Sequence, residues 1–218
     1  MPPAARLCKG GADVLAWNRT KTKAEPLSQV GVKVADRVSE LAARDIVFCM
    51  VSTWDDVKEV MLQLLEKSTK LPKLAVECSS ISLEGSAKLR TILEKGGIAY
   101  LAAPVSGNAK VIKAGKLSFV CSGPRKSFDV ELPSLKLIAP SASWVGEGEL
   151  ARIVKICHNV FLGVVTQSLA EITVLAEKAG VPRHAFLEFM NHSVMGSTFS
   201  RYKTQAYVNL DFEVTFTP

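Results

Sequence analysis

No block of like charge, no paired cysteine spacing and no uninterrupted apolar run of membrane-spanning length occurs in this sequence. The net charge is +6, but Lys and Arg are interspersed with acids along the whole chain. There is no basic stripe interleaved with aromatics, so a nucleic-acid partner is not indicated. A mild positive balance suits a protein whose ligands are anionic. The five cysteines, Cys8, Cys49, Cys78, Cys121 and Cys157, lie far apart without C-x-x-C spacing. Neither a disulfide framework nor a metal site is indicated. Cys49, Cys78 and Cys121 sit in apolar stretches, where a thiol packs as a small hydrophobe. A membrane span needs about 20 apolar residues, so no membrane partner is expected. The segment Met1–Arg6 lacks the apolar stretch and cleavage site of a secretory signal, which makes the cytoplasm the default location.

What is present is an ordinary globular composition, 48% hydrophobic and 22% charged. Short apolar runs at Asp13–Trp17, Val32–Ala35, Asp45–Val51, Leu74–Cys78, Ile98–Ala102 and Leu117–Cys121 read as strands. Between them Lys21–Val30, Val38–Ala43, Asp55–Leu65, Leu83–Lys95 and Arg125–Leu137 read as helices. This alternation predicts an α/β fold, a Rossmann-like doubly wound and mainly parallel sheet. From Glu149 the apolar residues recur at three- and four-residue spacing until Gly180-Val181-Pro182, which predicts one helix of about 30 residues. A second helix, Arg183–His192, follows. The expected domains are residues 1–146, the sheet domain, and 147–218, the start of an all-helical domain. Both ends read as incomplete: residues Pro3–Lys9 resemble the tail of a helix rather than a first strand, and the last residues, Phe212–Pro218, stop without a terminating element.

The dinucleotide fingerprint G-x-G-x-x-G after a first strand is absent. Gly146-Glu147-Gly148-Glu149-Leu150-Ala151 matches G-x-G-x-x-A, but no second strand follows its helix, so no βαβ unit forms around it. A better cofactor signal is Val14-Leu15-Ala16-Trp17-Asn18-Arg19-Thr20. At the carboxyl end of a second strand, Asn18, Arg19 and Thr20 offer an amide, a guanidinium and a hydroxyl to a ribose 2′-phosphate. A plain turn with a solvated arginine is the open alternative. Ser106-Gly107 after an apolar run can aim N–H groups and a hydroxyl at a carboxylate, though most such stretches are turns. Lys155 and Asn159 are four residues apart on one helical face. A half-buried lysine there has a lowered pKa and can serve as a general acid–base group. From spacing alone a surface lysine beside an asparagine is the favoured reading.

In order along the chain, these pieces resemble the β-hydroxyacid dehydrogenase family, which includes 3-hydroxyisobutyrate dehydrogenases, tartronate semialdehyde reductases and glyoxylate/succinic semialdehyde reductases. The resemblance is carried by Pro2–Leu7, Trp17–Thr20, Phe48-Cys49-Met50-Val51, Glu77–Ser82, Ala103-Pro104-Val105-Ser106-Gly107 and Lys155-x-x-His158-Asn159. It implies an oxidoreductase for a small hydroxy acid or its semialdehyde, using NADP or alternatively NAD, assembled as a homodimer or homotetramer. Lys155 would be the acid–base residue and Asn159 its partner. Ser106, Gly107 and Asn108 would hold the substrate carboxylate. Asn18, Arg19 and Thr20 would meet the adenosine ribose, with Met50, Val51, Ser52 and Ser80 on the path to the nicotinamide. Departures are Ala102 and Asn108, where the family's substrate motif has aspartate and a second glycine. With no glycine loop, an inactive fragment or a non-catalytic scaffold that keeps the fold remains an alternative. An imine reductase-like relative is a third, against which the retention of Lys155 argues.

Overall fold

The computed structural model describes residues 1–66, 70–107, 111–112 and 115–212. They form two compact units, Met1–Cys157 and His158–Pro218. The first carries helices α1 (Pro3–Lys9), α2 (Lys21–Ala24), α3 (Trp54–Leu65), α4 (Leu83–Lys95) and α5 (Arg125–Ile138). Its strands are β1 (Leu15–Ala16), β2 (Lys33–Val34), β3 (Ile46–Cys49), β4 (Leu74–Glu77), β5 (Ala99–Ala102), β6 (Val105–Ser106), β7 (Ser118–Cys121) and β8 (Ser141–Trp144). The pairs β1–β2, β3–β4, β4–β5 and β7–β8 are parallel, whereas β6–β7 is antiparallel. The strands fall into three sheets, β1-β2, β3-β4-β5 and β6-β7-β8.

Alternation along β3, β4 and β5 sorts their side chains onto two faces. Val47, Cys49, Ala75, Tyr100 and Ala102 pack with Val57, Met61 and Leu64 of α3 and with Leu89 and Leu93 of α4. Leu74, Val76 and Leu101 face the other way, against Phe128, Leu135 and Ile138 of α5. A mainly parallel sheet is thus covered on both sides. The buried thiols of Cys49 and Cys121 are pushed up to about 12 by loss of solvation, so they pack as neutral groups. The start of α3 is fixed by a capping box: Asp56 N donates to Thr53 Oγ1 at 3.2 Å while Thr53 N donates to Asp56 Oδ2 at 3.1 Å. Ser82 caps α4, accepting from Gly85 N at 3.0 Å. A Cβ on Gly85 would lie 2.9 Å from the Trp54 ring, so glycine is what lets these two helix starts approach.

The expected helix Lys21–Val30 is α-helical only to Ala24 and continues as a 3-10 turn, Glu25–Val30. Pro26 has no N–H to continue the α-helical ladder. The segment Val38–Ala43 is likewise 3-10. The long helix is α6, Leu150–Lys178. By length and composition it is apolar enough to cross a membrane, although the sequence has no uninterrupted apolar run of that length. Only 11% of that apolar window is buried within this structure. In the second unit α7 (Arg183–His192) and α8 (Thr198–Asn209) pack through Leu187 and Tyr207 against Leu169. Tyr207 Oη donates to the Thr166 carbonyl at 2.8 Å.

One buried group works against stability. Glu131, on the inner side of α5, has no exposed surface, and only the Ser134 side chain offsets the burial of its carboxylate. Burial raises its pKa from 4.5 to about 7. A raised folded-state pKa means the folded protein holds this proton more tightly than the unfolded chain. The associated stability is complete below the ordinary carboxylate pKa and is lost as pH rises through about 7. Glu131→Gln is therefore expected to raise unfolding free energy at pH 8 by about 1–3 kcal/mol and to leave it nearly unchanged at pH 4. Urea unfolding of both proteins at the two pH values checks this; equal gains at both would contradict it.

Candidate active site

The adjacent parallel strands β3 and β4 end together at Cys49 and Glu77, and the chain leaves both into helix N-termini. After β3 come Met50, Val51 and Ser52, leading to α3; after β4 come Cys78, Ser79 and Ser80, leading to α4. The two loops are tied, with Val51 N donating to Ser79 Oγ at 2.9 Å. Met50, Ser52 and Ser80 are exposed beside them. Ligands of open α/β sheets bind outside the carboxyl ends of the strands, where helix N-termini offer unpaired N–H groups. The exposed residues here fit a dinucleotide on that edge.

Asn18, Arg19 and Thr20 follow β1. Asn18 Oδ1 accepts from Thr20 N at 2.9 Å, closing the turn on itself. Arg19 Nη2 donates to Asp56 Oδ1 at 2.7 Å and to Glu59 Oε2 at 3.3 Å, both on α3. The residues expected at the adenosine end are thus brought to the same edge as the β3 loop, with the guanidinium already engaged by two carboxylates.

A buried polar network that the sequence pattern does not show holds this edge to α6. Arg152, 2% exposed, pairs with Glu77, which has no exposed surface. Its guanidinium also donates to the Ser79 carbonyl at 2.5 Å, to Tyr100 Oη at 3.2 Å and to Ser86 Oγ at 3.3 Å. Ser79 N closes the loop by donating to Glu77 Oε1 at 2.7 Å. Arg90 adds a second clamp, donating to Glu149 Oε1 at 2.7 Å and to the Gly148 carbonyl at 2.6 Å while stacking over Tyr100. A clue was available. Glu77 is a lone acid at the end of a continuous apolar strand run, and Arg152 lies amid apolar helix residues; buried charges of that kind need partners.

Lys155 lies three residues beyond Arg152, one turn along α6, and is half-buried. Loss of solvation lowers its pKa, and among the described residues no hydrogen-bond or ion-pair partner is found for it. Asn159 belongs to the second unit, is exposed, and shares a 3.1 Å contact with His158 Nδ1. Ser106 lies in β6, paired with Ser118 of β7. Gly107 has φ +140° and a Cβ there would lie 2.6 Å from Val111, so its glycine is required by conformation and space. Asn108 lies outside the described residues.

The parallel strands and the two tied loops at their carboxyl edge are those of a dinucleotide-binding class of fold. Residues 1–146 match the model of the NAD binding domain of 6-phosphogluconate dehydrogenase, and the chain belongs to that family. It is 26% identical over 218 residues to glyoxylate/succinic semialdehyde reductase 2, chloroplastic, of Arabidopsis thaliana, covering 99% of this chain and 61% of that protein. The chain thus spans about three-fifths of that relative's length. Among solved structures, the 3-hydroxyisobutyrate dehydrogenase of Mycobacterium tuberculosis with L-serine aligns with a TM-score of 0.84 at 26% identity, covering 99% of this chain and 76% of the other. An imine reductase of Streptomyces aurantiacus aligns with a TM-score of 0.77 at 22% identity over 96% of this chain and 74% of its own, a likeness of fold alone. The resemblance to β-hydroxyacid dehydrogenases read from the motifs stands.

Proposed function

We propose that this chain is an NAD(P)-dependent oxidoreductase interconverting a small β-hydroxy acid and its semialdehyde or keto acid, with Lys155 as the general acid–base residue. The observation that carries the proposal is a half-buried lysine, with no partner among the described residues, one helical turn from an arginine anchored on Glu77 and Ser79. The relatives' names support the substrate class: a glyoxylate and succinic semialdehyde reductase, and a 3-hydroxyisobutyrate dehydrogenase solved with L-serine, itself a β-hydroxy acid.

The chemistry a bound dinucleotide supplies is hydride transfer at its nicotinamide. Met50, Val51, Ser52 and Ser80 would hold it at the carboxyl edge. Lys155 Nζ, with its pKa lowered by burial, gives a proton to the carbonyl oxygen in reduction and takes it back from the hydroxyl in oxidation. Asn159 is proposed as its partner on helical spacing alone. Ser106 and Gly107, with Asn108, would receive the substrate carboxylate. Exposed Phe161, Leu175 and Phe189 on the helices support assembly as a homodimer or homotetramer.

Binding is tested by titrating the chain with NADH and NADPH and following energy transfer from tryptophan. Trp17 and Trp54 pack beside the proposed edge, so saturable transfer is expected for at least one dinucleotide. No transfer and no heat of binding with either would overturn the proposal and favour a scaffold.

A further inference from the structure

By its position after β1, Arg19 could meet a 2′-phosphate, but the fold gives that guanidinium two carboxylates of its own. Arg19 Nη2 bonds Asp56 at 2.7 Å and Glu59 at 3.3 Å. Asp56 cannot easily turn away. Its Oδ2 accepts from Thr53 N at 3.1 Å and from Thr53 Oγ1 at 2.8 Å as part of the α3 cap, leaving Oδ1 aimed at Arg19. Glu59 is braced by Gln63, whose Nε2 donates to Oε1 at 3.1 Å. The Thr53 hydroxyl first, and Arg19 next, hold the Asp56 carboxyl below its ordinary range, so it stays charged at neutral pH. One cation between two anions leaves this corner with a net negative charge.

We infer that Asp56 and Glu59 are specificity-determining residues that make this corner select the ribose diol of NAD(H) over the 2′-phosphate of NADP(H). This rests on the dinucleotide-binding reading above. A 2′-phosphate brings up to two further negative charges and has to share Arg19 with carboxylates already bonded to it. Ribose hydroxyls carry no charge and donate hydrogen bonds to carboxylates, so the same corner receives them without repulsion. The arginine that looks like a phosphate ligand in the sequence is, in the fold, a brace between the β1 loop and α3.

The test is the ratio of Kd for NADH and NADPH, measured by calorimetry on the 218-residue chain and on Glu59→Gln and Asp56→Asn. Asparagine is itself a good helix-capping residue, and Glu59→Gln leaves the cap untouched, so each variant checks the other. The unaltered chain is expected to bind NADH more tightly than NADPH. Each variant is expected to move the ratio toward NADPH by about 3–10-fold, as removal of a nearby like charge at an exposed site does. Added salt should shrink the difference. A ratio unchanged in both variants, or a preference for NADPH in the unaltered chain, overturns the inference while leaving dinucleotide binding standing. Absence of binding to either dinucleotide in all three proteins overturns the parent reading and this inference with it.

Discussion

Arg152→Ala is expected to cost about 3–5 kcal/mol of stability. The reason is the residue left behind. Glu77 has no exposed surface, and its partner guanidinium also satisfies the Ser79 carbonyl and Tyr100 Oη. Truncation strands a carboxylate and a carbonyl in a region that water does not reach. Removing both charges in Arg152→Met with Glu77→Gln should recover part of the loss, because the uncompensated charge disappears. Guanidinium unfolding followed by circular dichroism measures both. If the double variant is no more stable than Arg152→Ala alone, the pair is not what holds the start of α6 to the strand edge.

Lys155→Ala is expected to lower kcat by about 10²–10⁴-fold while leaving dinucleotide affinity close to that of the unaltered protein. Reduction of a carbonyl builds negative charge on oxygen, and a positioned proton donor neutralises it as it forms. Lys155→Arg should fail to restore the rate, because guanidinium does not release its proton near neutrality. This separates an acid–base role from a merely electrostatic one. His158→Ala should change little, since that ring is exposed and contacts Asn159. Steady-state kinetics and a dinucleotide titration on each variant make the comparison. A rate unchanged in Lys155→Ala, or one restored by arginine, contradicts the assignment.

The fold was largely legible because its signals are local. Helices Leu83–Lys95 and Arg183–His192 begin at a serine cap or after a proline and end near glycine or serine, so pattern and punctuation agree. Helix α8 was not legible. Its capping box pairs Ser197 with Ser200 rather than with a Glu or Gln, and its buried face holds only Ser200 and Tyr207. The antiparallel strand Val105–Ser106 is two residues long, too short to show alternation.

At the candidate site, residues that lie together along the chain could be read, and pairings across the chain could not. The turn Asn18–Thr20 is visible as a turn, yet nothing in it announces that Arg19 will meet Asp56, 37 positions away. Arg152 and Glu77 are 75 positions apart. In α6 the apolar pattern itself misdirects: Ile153 and Val154 are 44% and 40% exposed, while the neighbouring Arg152 is buried. Periodicity reports which residues share a helix face, and only the fold decides which face is covered.

Turnover is measured by following oxidation of NADH and NADPH by the 218-residue chain with glyoxylate and succinic semialdehyde. The reverse reaction is followed with 3-hydroxyisobutyrate and L-serine. The account predicts saturable turnover with at least one of these carboxylate-bearing compounds, lost in Lys155→Ala. A folded chain that binds a dinucleotide but turns over none of them would contradict the catalytic claim and leave a scaffold with a dehydrogenase fold.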